Sequence, residues 1–154
     1  MIDYIEKSVI DVETGIVAHG VNCQGKMGSG VAKAIRAKWP IVYEEYKKQS
    51  TEVPGSCLIV TINDSLHVAN CYTQKFYGYD GNKYADPNAI GRSMEVVGIF
   101  ADMYNLPVFM PKIGCGLGGL DWNEDVLPIM EYVAEVYNGV TFYVCDLPRK
   151  KDVK

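Results

Sequence analysis

Apolar positions in this chain fall into short continuous runs separated by longer stretches with helical spacing. Ile16-Val17-Ala18-His19-Gly20-Val21 is one such run, bounded by Gly15 and Gly25, and it predicts a buried strand. A short helix follows over residues 30–38. Pro40 suits the first turn of the next helix, Ile41 to Lys48, because its missing N–H is not needed there. Cys57 to Ile62 and Leu66 to Cys71 flank the polar turn Asn63-Asp64-Ser65 and predict a hairpin. Asp86-Pro87 gives a cap and a helix start, after which Ile90, Met94, Val97, Ala101 and Tyr104 fall on one face. Pro107 to Met110 is the next strand. A second amphipathic helix carries Val126, Ile129, Met130, Val133 and Ala134, and Val140 to Cys145 closes the sheet. Strand and helix alternate around one hairpin, which predicts a single α/β domain over 1–154 with a mixed sheet and helices on both faces. The charged end, Arg149 to Lys154, is expected to fray.

Composition supports a globular chain and narrows its partners. The 154 residues are 48% hydrophobic and 22% charged, which excludes disorder and collagen-like or coiled-coil repeats. Fifteen Lys and Arg against nineteen Asp and Glu give a net charge of −4, so strong non-specific nucleic-acid affinity is not expected, although a small basic face stays open. The N-terminal residues lack signal-peptide organisation, and no apolar run is long enough for a membrane helix. Five scattered cysteines without a C-x-x-C pair, and only His19 and His67 as histidines, point to reduced thiols without a zinc site. A cytoplasmic monomer without metal or cofactor is the expectation.

Two glycine-rich loops change this picture. Asn22-Cys23-Gln24-Gly25-Lys26-Met27-Gly28-Ser29-Gly30-Val31-Ala32 lies between a strand and a helix, and so does Ile113-Gly114-Cys115-Gly116-Leu117-Gly118-Gly119-Leu120-Asp121. At the carboxyl ends of strands, glycines let backbone N–H groups approach a phosphate, and a helix N-terminus adds partial positive charge. Neither loop is a Walker A motif. Gly114-x-Gly116-x-x-Gly119 satisfies the dinucleotide string, a weak signal alone. Each loop by itself also reads as a tight turn; two in so small a domain favour a diphosphate site.

These residues carry a resemblance. Val21-Asn22-Cys23-Gln24-Gly25-x-Met27-Gly28-Ser29-Gly30-Val31-Ala32, followed by Met110-Pro111-Lys112-Ile113-Gly114-Cys115-Gly116-Leu117-Gly118-Gly119-Leu120-Asp121-Trp122, resembles the macrodomain family. It is most similar to the branch of small ADP-ribose-1″-phosphate phosphatases and terminal ADP-ribose glycohydrolases. The resemblance implies a three-layer α/β/α fold, a mixed six-stranded sheet, and an ADP-ribose cleft between the two loops. It implies that Asn22, Met27, Gly28, Ser29, Gly30 and Val31 lie by the distal ribose, with Val21 and Ile113 also among the ligand-binding residues. Gly114, Cys115, Gly116, Leu117 and Gly118 would line the diphosphate through backbone N–H groups. Tyr72, Thr73, Gln74 and Lys75 would form another wall, and Cys145-Asp146-Leu147 would lie near the adenosine. Ser8 stands where many members have an adenine-reading Asp.

The same resemblance suggests two chemistries. For removal of a 1″-phosphate, His19 would donate a proton, a role that suits a pKa of about 6.5, and Asn22 would orient the attacked group or the water. For de-ADP-ribosylation, Lys75 matches the family's lysine, but the partner Asp position falls on Gly118, and Asp121 is the nearest carboxylate. A second Asn of the Asn-rich first loop is also absent. Each candidate admits another role: His19 as a packed strand residue, Asp121 as a helix cap, Lys75 as a solvated residue, Cys23 and Cys115 as packing thiols. The aromatic loop Phe76 to Tyr84 suits stacking on a base or packing on a helix. Removal of phosphate from ADP-ribose-1″-phosphate is the leading expectation. Release of ADP-ribose from protein carboxylates or nucleic-acid bases is the second, and non-catalytic binding of ADP-ribose or a nucleotide signal the third.

Overall fold

Alternation along the strands decides which helices go to which face. A computed structural model describes residues 1–49, 52–76 and 82–146; the tail Arg149–Lys154, Leu147 and the centre of the aromatic loop lie outside these. In β2 (Gly15–Asn22), Ile16 and Ala18 join one core cluster while Val17 and Val21 join the other. The first cluster is covered by α3 (Pro87–Tyr104) and α4 (Leu127–Val136), the second by α1 (Gly30–Lys38) and α2 (Pro40–Lys47). The expected three layers with helices on both faces are therefore present.

Among the described residues the sheet has six strands. β1 (Ile2–Ile5), β6 (Phe142–Cys145), β5 (Val108–Met110), β2 and β4 (Leu66–Gln74) run parallel, and β3 (Cys57–Asn63) closes one edge antiparallel to β4. The apolar pattern does not predict β1, because a four-residue edge strand with two exposed central positions has no continuous run to reveal it. β4 runs three residues beyond the expected Cys71, and this extension carries Thr73 and Gln74 to the ligand side of the sheet.

Helix ends follow local chemistry. The Asp86 carboxylate accepts from Asn88 N at 3.0 Å and Pro87 opens α3, while Asn105 stops it in the left-handed region at φ 53°. The buried stripe of α3 includes Ile90, Met94, Val97 and Ala101 as expected. Tyr104 departs from it: it is exposed, with its ring 4.6 Å from Phe100, because α3 outruns the core in its last turn. A π-turn, Trp122–Val126, stands ahead of α4 where sequence periodicity suggests only one helix. No described helix is long and apolar enough to cross a membrane.

Candidate functional site

The carboxyl ends of β2, β4 and β5 open into a cleft of about 180 Å³. Its walls include His19, Gly20, Val21 and Asn22 of β2, then Lys26, Ser29, Gly30, Val31 and Ala32 of the first loop and α1. Thr73 and Gln74 come from β4. Pro111, Lys112, Ile113, Gly114, Gly116, Leu117 and Gly118 complete it after β5. The two glycine loops thus face each other across one cavity.

Each loop is held by a specific device. In the first, the Asn22 side chain is the organiser: Oδ1 accepts from Gln24 N at 2.9 Å and Lys26 N at 3.3 Å, while Nδ2 donates to Lys26 O at 3.0 Å. The Tyr46 hydroxyl donates to Asn22 O at 2.5 Å and lies 2.9 Å from Oδ1; burial pushes its pKa up to about 12, so it stays protonated. Met27 pins the loop from below, at 1% exposure in the core beneath α1 and α2. In the second loop, Gly114 sits at φ +79°, a region that favours glycine. A Cβ on Gly118 would lie 2.6 Å from Gly114 O and 2.9 Å from Ala85 Cβ. This is why an Asp does not fit there: the loop closes on itself at that point. Gly116 differs, because it has no positive φ and a Cβ would meet nothing within 4 Å. The fold does not require glycine at 116. Close approach of a ligand to its backbone would.

Asn22→Ala should destabilise the protein by about 2–4 kcal/mol, since partly buried donors and an acceptor lose their partners together. Asn22→Asp, which keeps the acceptor, should recover about half of that loss in a urea titration. Equal losses in both variants would contradict this role.

Several sequence candidates stand outside the cleft lining. Ser8 precedes the short 3₁₀ turn Val9–Asp11, its carbonyl accepting from Asp11 N at 3.0 Å. Met27 is core, and Gly28 faces open space. Tyr72 points into the α1–α2 layer, 5.9 Å from the Tyr46 ring, because its strand neighbour Thr73 takes the other face. Cys115 is half-buried with its Sγ 3.4 Å from Ile113 O; burial, then Asp121, pushes its pKa up to about 11. Burial raises the Cys23 pKa as well, so neither loop thiol is a ready nucleophile. Asp146 reaches the cleft only through Lys112, whose Nζ is 3.3 Å from its carboxylate.

The catalytic candidates also separate. His19 lines the cleft but is 1% exposed, with Nε2 2.5 Å from Asn70 Oδ1, so Nε2 carries the proton and donates. Desolvation lowers its pKa from 6.5 to about 4 against the opposing Asn70 contact. The imidazole is therefore neutral at pH 7, which removes the near-neutral acidity on which a proton-donor role rested. Lys75 is exposed, its ammonium 5.5 Å from the Phe76 ring, and is not in the lining. Asp121 caps the π-turn, accepting from Glu124 N at 2.9 Å, and is likewise outside. Sequence reasoning passed over Lys26 and Lys112, the two cations that do line the cavity. Lys26 was legible as the one charge inside the first loop. Among the described residues the lining contains no Asp or Glu, although carboxylates outnumber cations in the chain as a whole.

Comparison with known proteins agrees with this architecture. The Macro domain family model matches residues 18–130, which include both loops. A DNA ADP-ribosyl glycohydrolase of Mycobacterium tuberculosis is 29% identical over 133 residues, covering 82% of this chain and 36% of that protein. The chain thus spans little more than a third of that relative's length. An ADP-ribose 1″-phosphate phosphatase of Lodderomyces elongisporus is 26% identical over 120 residues, covering 71% of this chain and 75% of that one. A solved structure from Bacteroides thetaiotaomicron, of a protein of unknown function, superposes with a TM-score of 0.80 at 26% identity, covering 96% and 98% of the two chains. With the family model spanning both loops and most of the sheet, the chain belongs to the Macro domain family.

Proposed function

We propose that the cleft binds the ADP-ribose unit of ADP-ribose-1″-phosphate and hydrolyses the ester to ADP-ribose and phosphate. The observation that carries this reading is the lining itself: two opposed glycine loops, the Lys26 ammonium, Lys112 with its partner Asp146 outside the lining, and no carboxylate among the described lining residues. Backbone N–H groups of the second loop suit a diphosphate. Lys26 stands in the first loop, the end at which a 1″-phosphate would project. Phosphoryl transfer to water depends mainly on positioning and on stabilising charge on the transferred group, work that an ammonium and N–H donors can do. Cleavage of a sugar C–O bond commonly uses carboxylates, and Asp121 lies outside the cleft as a cap. The phosphatase named among the relatives supports the same choice.

Free phosphate released from ADP-ribose-1″-phosphate tests the reading. Lys26→Gln should lower kcat/KM by about 10–100-fold, the loss of one charge-assisted contact, while affinity for ADP-ribose stays within about threefold. No release above a heat-inactivated control would overturn the phosphatase assignment. Binding of ADP-ribose without turnover would leave a binding module.

The 29% identity to a DNA ADP-ribosyl glycohydrolase favours a second reading, release of ADP-ribose from nucleic acid. Lys75 follows Gln74, which does line the cleft, and is exposed. Full activity of Lys75→Ala on ADP-ribosylated DNA would exclude a lysine-dependent route.

A further inference from the structure

Charge is distributed very unevenly along this chain. Residues 26–48 carry Lys26, Lys33, Arg36, Lys38, Lys47 and Lys48 against only Glu44 and Glu45, in a protein whose net charge is −4. All six cations are exposed. Lys48 is neutralised by Glu45 at 3.1 Å, and Lys38 lies in a separate groove with Asp11 and Glu13. Of the other four, Lys33, Arg36 and Lys47 stand on α1 and α2, and Lys26 stands ahead of α1. Lys26 lines the cleft, and α1 begins at its wall. Lys33 and Arg36 are one turn apart on α1 and share a face. The Arg36 guanidinium lies 3.6 Å from the centre of the Tyr43 ring on α2, and Lys47 lies 5.5 Å from the same ring. Among the described residues none of these four is in an ion pair.

We propose that the outer surface of α1 and α2 docks the backbone of a single-stranded nucleic acid beside the mouth of the cleft. Ammonium and guanidinium groups on adjoining helices suit successive phosphates. The Arg36–Tyr43 stack distinguishes nucleic acid from an acidic peptide, because a guanidinium and a phenol ring offer planar surfaces to unpaired bases. Two helices of nine and eight residues reach about 12–14 Å, enough for two or three nucleotides and too short to track a duplex groove. This deepens the second functional reading, on which it rests in one respect: an ADP-ribose unit in the cleft, when attached to nucleic acid, would have its carrier on α1 and α2.

Fluorescence anisotropy with a short labelled oligonucleotide lacking ADP-ribose tests the surface apart from the cleft. Three phosphate contacts from Lys33, Arg36 and Lys47, with a fourth from Lys26 at the cleft, should give a slope of log K against log salt of about −3 between about 50 and 200 mM. The variant carrying Lys33→Gln, Arg36→Gln and Lys47→Gln, none of them in the cleft lining, should reduce that slope by about 2 and weaken binding more than tenfold. Its calorimetric affinity for ADP-ribose should match the unaltered protein, which also shows that the variant folds. The proposal is overturned by a wild-type slope shallower than about −1, by a triple variant that binds as the wild type does, or by a glutamate-rich peptide that binds equally well. Tighter binding of duplex than of single strand would overturn it too. Oligonucleotide binding without ADP-ribose binding would remove the cleft reading and leave the surface standing.

Discussion

Gly116→Val is expected to lower affinity for ADP-ribose by at least about 100-fold while changing unfolding free energy by less than about 0.5 kcal/mol. The backbone at 116 is not in the left-handed region, and the space beyond a Cβ there is empty, so the fold can accept the side chain. The same space is part of a cavity of only about 180 Å³, where a branched side chain would occupy the ligand's volume. Gly118→Ala should behave in the opposite way: its Cβ would sit 2.6 Å from Gly114 O, and the repacking should cost about 1–3 kcal/mol of stability. Calorimetry and urea titration on the two variants separate a glycine kept for the ligand from one kept for the loop. Unchanged ADP-ribose affinity in Gly116→Val would remove the argument that the second loop approaches the ligand.

Acidification should destabilise the protein through His19. Its pKa falls from 6.5 to about 4 on folding, so between those values the unfolded chain binds more protons than the native one. Stability is then fully present above about pH 6.5 and lost as pH falls toward 4, about 3 kcal/mol in total and up to about 1.4 kcal/mol per pH unit. His19→Gln keeps a hydrogen-bonding partner for Asn70 but cannot titrate, and should remove most of that slope. A slope unchanged by the substitution would mean that the histidine is solvated and charged in the native state. The same numbers bear on chemistry: about one imidazole in a thousand is protonated at pH 7, too few for an efficient acid.

The cleft was legible in the sequence because its loops are built from glycine, which concentrates where the backbone must turn or come close to something. The core faces were legible for a similar reason: Ile16 and Val17 alternate in β2 as Met94 and Val97 share one stripe of α3, so a period implies a partner. Side-chain direction was not. Met27 sits among loop glycines and reads as a ligand contact, yet an apolar residue in a glycine loop can serve as its anchor, and here it is buried. Tyr72 and Thr73 are adjacent, and β pleating sends one to each face, so a run of wall residues could not all reach the ligand. Asp121 had the spacing of a cap and is one.

Charge was the most deceptive quantity. A net −4 describes the whole chain and conceals both a cleft with no carboxylate among its described lining residues and a group of cations on α1 and α2. Lys26 and Lys112 stand outside any phosphate-binding string, so motif reading passed over them. Only the folded arrangement puts the two lysines into one cavity.

The most direct test of the account is a calorimetric titration with ADP-ribose at neutral pH. The unaltered protein should bind one equivalent, and Gly116→Val, equally stable, should show no measurable heat at the same concentrations. Absence of binding by the unaltered protein, or equal binding by both, would contradict the assignment of the glycine-lined cleft as an ADP-ribose site.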